Sequence, residues 1–140
     1  MSISRIEKTP TWLLARASSS AHKKLSAAFT PWQLRPVHFR VLAALHELGE
    51  MTQADLGRRL DLDRKDVATC VDLLTSRSLV SRHADPRDAR RKIVGLDDPG
   101  RRLLPRLCAA LNSVQQEVLA PLSPREATEL LRLLVKMSEC

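Results

Sequence analysis

The residues best equipped for chemistry in this chain are cations. Between Ser81 and Lys92 stand Arg82, Arg87, Arg90, Arg91 and Lys92, against only Asp85 and Asp88. A second group, Arg58, Arg59, Arg64 and Lys65, precedes Ala68 and Thr69. A guanidinium is planar, always charged and rich in donors, which suits it to phosphate oxygens. The chemistry on offer is therefore the holding of a polyanion. Residues for bond-making are not assembled: there is no phosphate-cradling glycine loop, no nucleophile elbow and no His-Glu-x-x-His helix. His22, His38, His46 and His83 do not fall at metal spacing, and four glycines leave little for cofactor loops. No enzyme, cofactor or metal site is expected.

Two short helices must carry the second cationic group. The first opens at Thr52, whose hydroxyl can accept from the Asp55 amide while the Asp55 carboxylate answers back. Ala54, Leu56 and Leu60 give it an apolar stripe. After a turn through Asp61 and Leu62, Asp63 is placed to cap a second helix running to about Arg77. Its Val67, Cys70, Val71 and Leu74 repeat at i, i+3, i+4 and i+7, one face of a helix. Lys65, Thr69, Asp72 and Ser76 project the other way. A helix seated on one side and free on the other fits a major groove about 12 Å wide, its first turns against base edges.

The wing group rides on two β-type runs, Leu79 to His83 and Lys92 to Leu96, with a long polar tip from Ala84 to Arg91 between them. That tip bears Arg87, Arg90 and Arg91, with Lys92 at its base, and suits a phosphate backbone or a narrow minor groove.

Met51-Thr52-Gln53-Ala54-Asp55-Leu56, Leu79-Val80-x-Arg82, Asp85-Pro86-x-Asp88-x-Arg90 and Leu104 after Gly100-Arg101, taken in order, resemble the MarR family of bacterial transcriptional regulators, over roughly residues 10 to 138. The resemblance implies a mainly helical winged helix-turn-helix, about six helices plus a two- or three-stranded wing, dimerising through its N- and C-terminal helices. It implies double-stranded DNA as partner, with Arg64, Lys65, Ala68 and Thr69 reading bases. Arg58, Arg59, Arg87, Arg91 and Lys92 join them in binding DNA. Asp88 and Arg90 match the family's Asp-x-Arg signature, in which the acid braces the wing and the arginine reaches the minor groove. Ala89 replaces an arginine often found there, and Asp66 and Ala68 stand where hydroxyl residues are common.

The chain of 140 residues carries a net charge of +7 and a pI of about 10.0, which favours a polyanionic partner. One domain, or one with an extended dimerisation part, suits this length. We assign 1–35 to an N-terminal dimerisation helix and linker, 36–97 to the winged module and 98–140 to C-terminal dimerisation helices. No apolar run approaches the roughly 20 residues of a membrane span, and no secretory core opens the chain, so a cytoplasmic protein is expected. Cys70, Cys108 and Cys140 are too scattered for a disulfide framework or a zinc site.

The flanks read as helices with apolar faces. Leu14, Ala17, Ala21, Leu25 and Ala28 follow Pro10, and a proline-bearing linker runs from Thr30 to Pro36. Val37, Val41, Leu42, Leu45 and Leu48 mark a scaffold helix ended by Gly49 in a left-handed cap. Leu103, Leu104, Leu107, Leu111, Val114 and Val118 follow Asp97 or Asp98, with Pro105 implying a later start or a bend. Ser123-Pro124-Arg125-Glu126 has capping-box spacing before Leu130, Leu131, Leu134 and Met137. This is more apolar surface than one winged module covers, so a homodimer is expected, with a palindromic operator whose half-sites lie about 34 Å apart. The resemblance further implies a small aromatic or phenolic anion where the dimerisation helices meet the winged module, and Trp12, Arg16, His38 and Arg40 are the candidates to line that cleft. Two other readings remain open: a winged module for protein interaction or DNA architecture without ligand response, and a cysteine-based redox sensor.

Overall fold

The computed structural model describes residues 4–139. Its elements are α1 (Ser4–Glu7), α2 (Pro10–Phe29), a 3-10 turn (Thr30–Trp32), α3 (Pro36–Leu48), β1 (Met51–Thr52), α4 (Gln53–Leu60), α5 (Arg64–Ser76), β2 (Val80–Asp85), β3 (Asp88–Leu96), α6 (Asp98–Leu119) and α7 (Pro124–Ser138). The fold is mainly helical with a three-stranded antiparallel wing, as expected. The short α1 is an addition to the sequence reading. Two compact units divide the chain: Ser26–Ala110, and the terminal segments up to Leu25 and from Leu111 on.

The Ser26–Ala110 unit is built on α3, α4 and α5. Phe29, Val41, Leu42, Leu56, Val67, Val71, Leu74, Val80, Val94 and Leu107 are all essentially inaccessible to water. Burying a side chain of this size stabilises by about 1.5–3 kcal/mol, so the core is a conventional apolar one. Phe29 and Phe39 stack with ring centroids 5.3 Å apart.

Local chemistry sets each helix. Thr52 caps α4 by accepting from the Asp55 amide at 3.1 Å, and Asp63 caps α5 by accepting from the Asp66 amide at 2.8 Å. Between the two helices Asp61 adopts a left-handed conformation, φ 55°, which an aspartate tolerates better than most residues. The expected stripe of α4 needs one correction. Ala54 is exposed and Gly57 lies inside, where a Cβ would come within 2.9 Å of Val67 Cγ2 and 3.1 Å of the Leu62 carbonyl. The close crossing of the two helices requires the smallest residue.

In α3 the buried set is His38, Val41, Leu42, Ala44 and Leu45. Leu48, expected inside, is 48% exposed at the helix end, and Val37 is half-buried. Gly49 does hold a positive φ of 81°, but its ψ of −178° is extended rather than helical, which leads the chain straight into β1.

The wing differs from its expected outline. The sheet order is β1-β3-β2, with Met51 opposite Val94 and Thr52 opposite Ile93. β2 and β3 pair from Val80 and Leu96 out to Asp85 and Asp88, with an irregularity between Ala84 and Asp85. The tip is therefore tight, only Pro86 and Arg87, and Arg90, Arg91 and Lys92 belong to a strand. Two aspartates make this possible. Asp85 accepts from the Arg87 amide at 2.9 Å, and Asp88 accepts from the Arg90 amide at 3.1 Å. Side chains of this kind replace missing backbone partners in turns.

α6 starts at Asp98, with Pro105 inside it and exposed, so the later start is not needed. Gly100 sits directly against the Leu79 carbonyl, which a Cβ would overlap. The same carbonyl accepts from the Asp97 amide at 3.0 Å.

In the terminal-segment unit, α7 carries the expected capping box: Ser123 Oγ accepts from the Glu126 amide at 3.1 Å, and Glu126 Oε1 from the Ser123 amide at 2.9 Å. α7 has no buried residue. Leu131, Leu133, Leu134, Val135 and Met137 are exposed on it, as are Ile6, Leu13 and Leu14.

Candidate nucleic-acid interface

The Ser26–Ala110 unit forms a concavity of about 510 Å³ lined by the capping Thr52, Gln53 and Arg58 of α4, Arg64 of α5, and Arg90, Arg91 and Lys92 of β3. Five cations from three elements thus converge on one hollow. Arg64 is there because Asp63 starts α5 at that residue, and the β3 cations are there because the tight turn at Pro86 and Arg87 carries the strand past Asp88. Oriented cations around a concave surface concentrate positive potential.

Aspartates temper that charge. Asp55 pairs with Arg58, and hydrogen bonds from Thr52 and Arg58, with the charge of Arg91 beyond, hold its carboxyl below the usual carboxylate range. The sequence reading had this carboxylate turn back to the Thr52 amide; an arginine one turn on is the stronger partner. Asp88 takes the Arg90 Nε at 3.2 Å and the Arg90 amide, and both bonds lower its pKa. Arg90 nonetheless keeps a side chain 91% exposed.

The remaining sequence candidates are placed as follows. Lys65 and Thr69 lie exposed on α5, and the Thr69 hydroxyl donates to the Lys65 carbonyl at 2.9 Å. Ala68 is half-buried rather than fully exposed. Arg59 is exposed on the last turn of α4 and does not line the hollow. Arg87 occupies the turn between β2 and β3, exposed.

The four effector candidates divide between the units. Trp12 and Arg16 belong to the terminal-segment unit, where the Trp12 indole Nε1 is buried without a hydrogen-bond partner and Arg16 is exposed. His38 and Arg40 belong to the winged unit. His38 is buried and its Nδ1 accepts from the Arg35 amide at 2.8 Å, closing the start of α3. Burial, then the charges of Arg35 and Arg77, push its pKa down, so the imidazole is neutral with its proton on Nε2. Arg40 is exposed.

Burial pushes the Cys70 thiol up, which disfavours the thiolate that redox chemistry needs. Cys108 is half-buried, and Cys140 lies outside the described residues. Among the described residues no cluster of three or more His, Cys, Asp or Glu side chains could hold a metal, and no helix is long and apolar enough to cross a membrane.

Several contacts escaped the sequence reading. Arg82 of β2 pairs with Asp72 of α5, Arg77 donates to the Trp32 carbonyl at 2.8 Å, and Arg106 lies over the Trp32 ring at 5.8 Å. In the sequence Arg82 stands in the Leu79-Val80-x-Arg82 motif and Asp72 on the outer face of α5, and neither position announces their pairing. Gln53 Oε1 is buried without a hydrogen-bond partner.

A helix-turn-helix with an antiparallel wing and a cationic hollow between them defines the winged helix-turn-helix class. Residues 32–91 match the model of the MarR family. The chain is 31% identical over 105 residues to the HTH-type transcriptional repressor NicR of Pseudomonas putida, a match covering 75% of this chain and 66% of that repressor's length. Its structure superposes on a probable transcriptional regulator from Pseudomonas aeruginosa with a TM-score of 0.83, 31% identity and coverage of 94% and 98% of the two chains. It also superposes on Bordetella bronchiseptica BpsR, whose DNA binding is described as regulated by 6-hydroxynicotinic acid, with a TM-score of 0.87, 26% identity and 96% of each chain covered. The chain belongs to the MarR family of winged helix-turn-helix transcriptional regulators.

Proposed function

We propose that this regulator is a repressor that binds a palindromic operator as a homodimer, one α5 helix of each copy in successive major grooves and one wing of each along the adjoining backbone. The observation carrying this reading is the hollow in which Arg58, Arg64, Arg90, Arg91 and Lys92 meet. Phosphate contacts from those residues position the protein, and base contacts from Arg64, Lys65, Ala68 and Thr69 select the sequence. Since Asp55 and Asp88 already engage Arg58 and Arg90, the unpaired Arg64, Arg91 and Lys92 lead the electrostatic attraction.

The exposed apolar residues of α7, with Ile6, Leu13 and Leu14, support pairing through the terminal helices. A second copy covers them and sets the spacing of the two α5 helices. Residues 36–97 then serve as the DNA-binding module and the segments before and after it as dimerisation parts, in a protein of the cytoplasm.

Similarity to BpsR supports a small aromatic acid as effector. A ligand shifts operator affinity only by its differential affinity for two arrangements, so effector and DNA must weaken each other equally.

Selection of bound sequences from random duplexes tests the reading. A palindrome with half-sites one helical turn apart is expected; binding with no sequence preference would instead mark an architectural module. A panel of aromatic acids titrated into the complex tests the effector, and release by none of them would remove it.

A further inference from the structure

Most ion pairs of the winged unit are local. Arg58–Asp55, Arg90–Asp88 and Arg101–Asp98 each close over two or three positions. Arg82–Asp72 spans ten and joins strand β2 to helix α5. Its arginine is also different in kind. The Arg82 side chain is only 26% exposed, and its Nε is buried with no hydrogen-bond partner. Opposite it in the sheet is Val94, fully buried. This guanidinium is thus partly withdrawn from water and engages the Asp72 carboxylate through Nη2.

Asp72 stands on the exposed side of α5, one turn beyond Thr69 and two beyond Lys65. A bare carboxylate on the face that enters the groove would repel phosphates. Arg82 supplies the counter-charge and ties the helix to strand β2 of the wing.

Resting on the DNA-binding reading above, we propose that Arg82 is a positioning residue for operator recognition: through Asp72 it fixes the orientation of the recognition helix relative to the wing. Arg82 is accordingly not one of the phosphate contacts, despite lying in the most basic stretch of the chain. Losing the pair lets helix and wing reorient, which harms binding that needs both in register. Binding that needs only charge is unaffected.

The experiment uses the full chain, a duplex obtained by selection and a random duplex of equal length, with Arg82→Gln, Arg82→Lys, Asp72→Asn and the Arg82→Gln/Asp72→Asn double variant. Each single loss of the pair is expected to weaken selected-duplex binding by about tenfold, and the double variant to lose no more than one single, as for residues that act together. Asp72→Asn leaves random-duplex affinity equal or higher. Arg82→Gln keeps the salt dependence of wild type, and Arg82→Lys restores part of the specificity.

Equal losses on both duplexes for Arg82→Gln, with the salt slope falling by about 0.9 per removed contact, would make Arg82 a phosphate ligand and overturn the proposal. Additive losses in the double variant would overturn it too. Should Arg82→Gln fail to fold by circular dichroism, Asp72→Asn decides alone: undiminished preference for the selected duplex refutes the role. If wild type selects no duplex, the DNA reading itself fails, an outcome distinct from additive losses on a genuine operator.

Discussion

Replacing Arg90 with alanine separates DNA binding from folding, because the residue does little for the free protein. Its side chain is 91% exposed and its ion pair with Asp88 lies at the surface, where such pairs contribute little. Thermal unfolding of Arg90→Ala should match wild type to within about 2 °C. Binding should not match. Each phosphate neutralised contributes a slope of about −0.9 to log K against log salt. A dimer presents Arg90 twice, so the variant's slope is shallower by about 1.8. Salt raised from about 50 to 200 mM changes log salt by about 0.6, so the gap between wild type and variant narrows by about 1.1 log units, or roughly twelvefold. The assay is fluorescence anisotropy on a selected duplex at four or five salt concentrations. Parallel lines for the two proteins, whatever their offset, would refute the placing of Arg90 on the backbone.

Gly100→Ala should destabilise the protein by about 2 kcal/mol, since overpacking against the Leu79 carbonyl and strain on its bond from Asp97 outweigh the gain of about 1 kcal/mol in helix propensity. Denaturant titration checks this, and an unchanged midpoint would show that α6 can shift freely there. Leu134→Asp, on a helix with no buried residue in the single chain, should give monomers in sedimentation and at least about 100-fold weaker operator binding, as expected when linked half-sites separate. Dimers of unchanged affinity would place the interface elsewhere. For His38 the folded pKa is depressed below 6.5, so the unfolded chain binds the proton more readily and stability rises with pH. Its contribution is complete above about pH 6.5 and is lost as pH falls toward the folded pKa, by at most about 1.4 kcal/mol per pH unit. His38→Gln should flatten the stability profile between about pH 7 and 5, and a profile identical to wild type would show that His38 is not the titrating group.

Much of this protein was legible from short-range chemistry. Thr52, Asp63 and the Ser123–Glu126 pair announced their helices because a cap acts over three residues. The buried quartet Val67, Cys70, Val71 and Leu74 followed from helical period alone. The five cations of the hollow were likewise visible as residue types, and the helix caps placed Arg58 and Arg64 on their helices.

What spacing could not supply was partnership between distant residues and the exact geometry of turns. The tight tip at Pro86 and Arg87 depends on two aspartates folding back on backbone amides, and it puts two cations expected in a loop, Arg90 and Arg91, on a strand. Gly57 lies inside and Ala54 outside, which spacing did not reveal because helix crossing distance is a property of two elements together. Arg82 found Asp72 across ten positions, and Arg77 the Trp32 carbonyl across 45, only once the chain had closed. Sequence determines which charges exist and which local helices form; only tertiary packing decides which of those charges are already spent on one another and which remain for DNA.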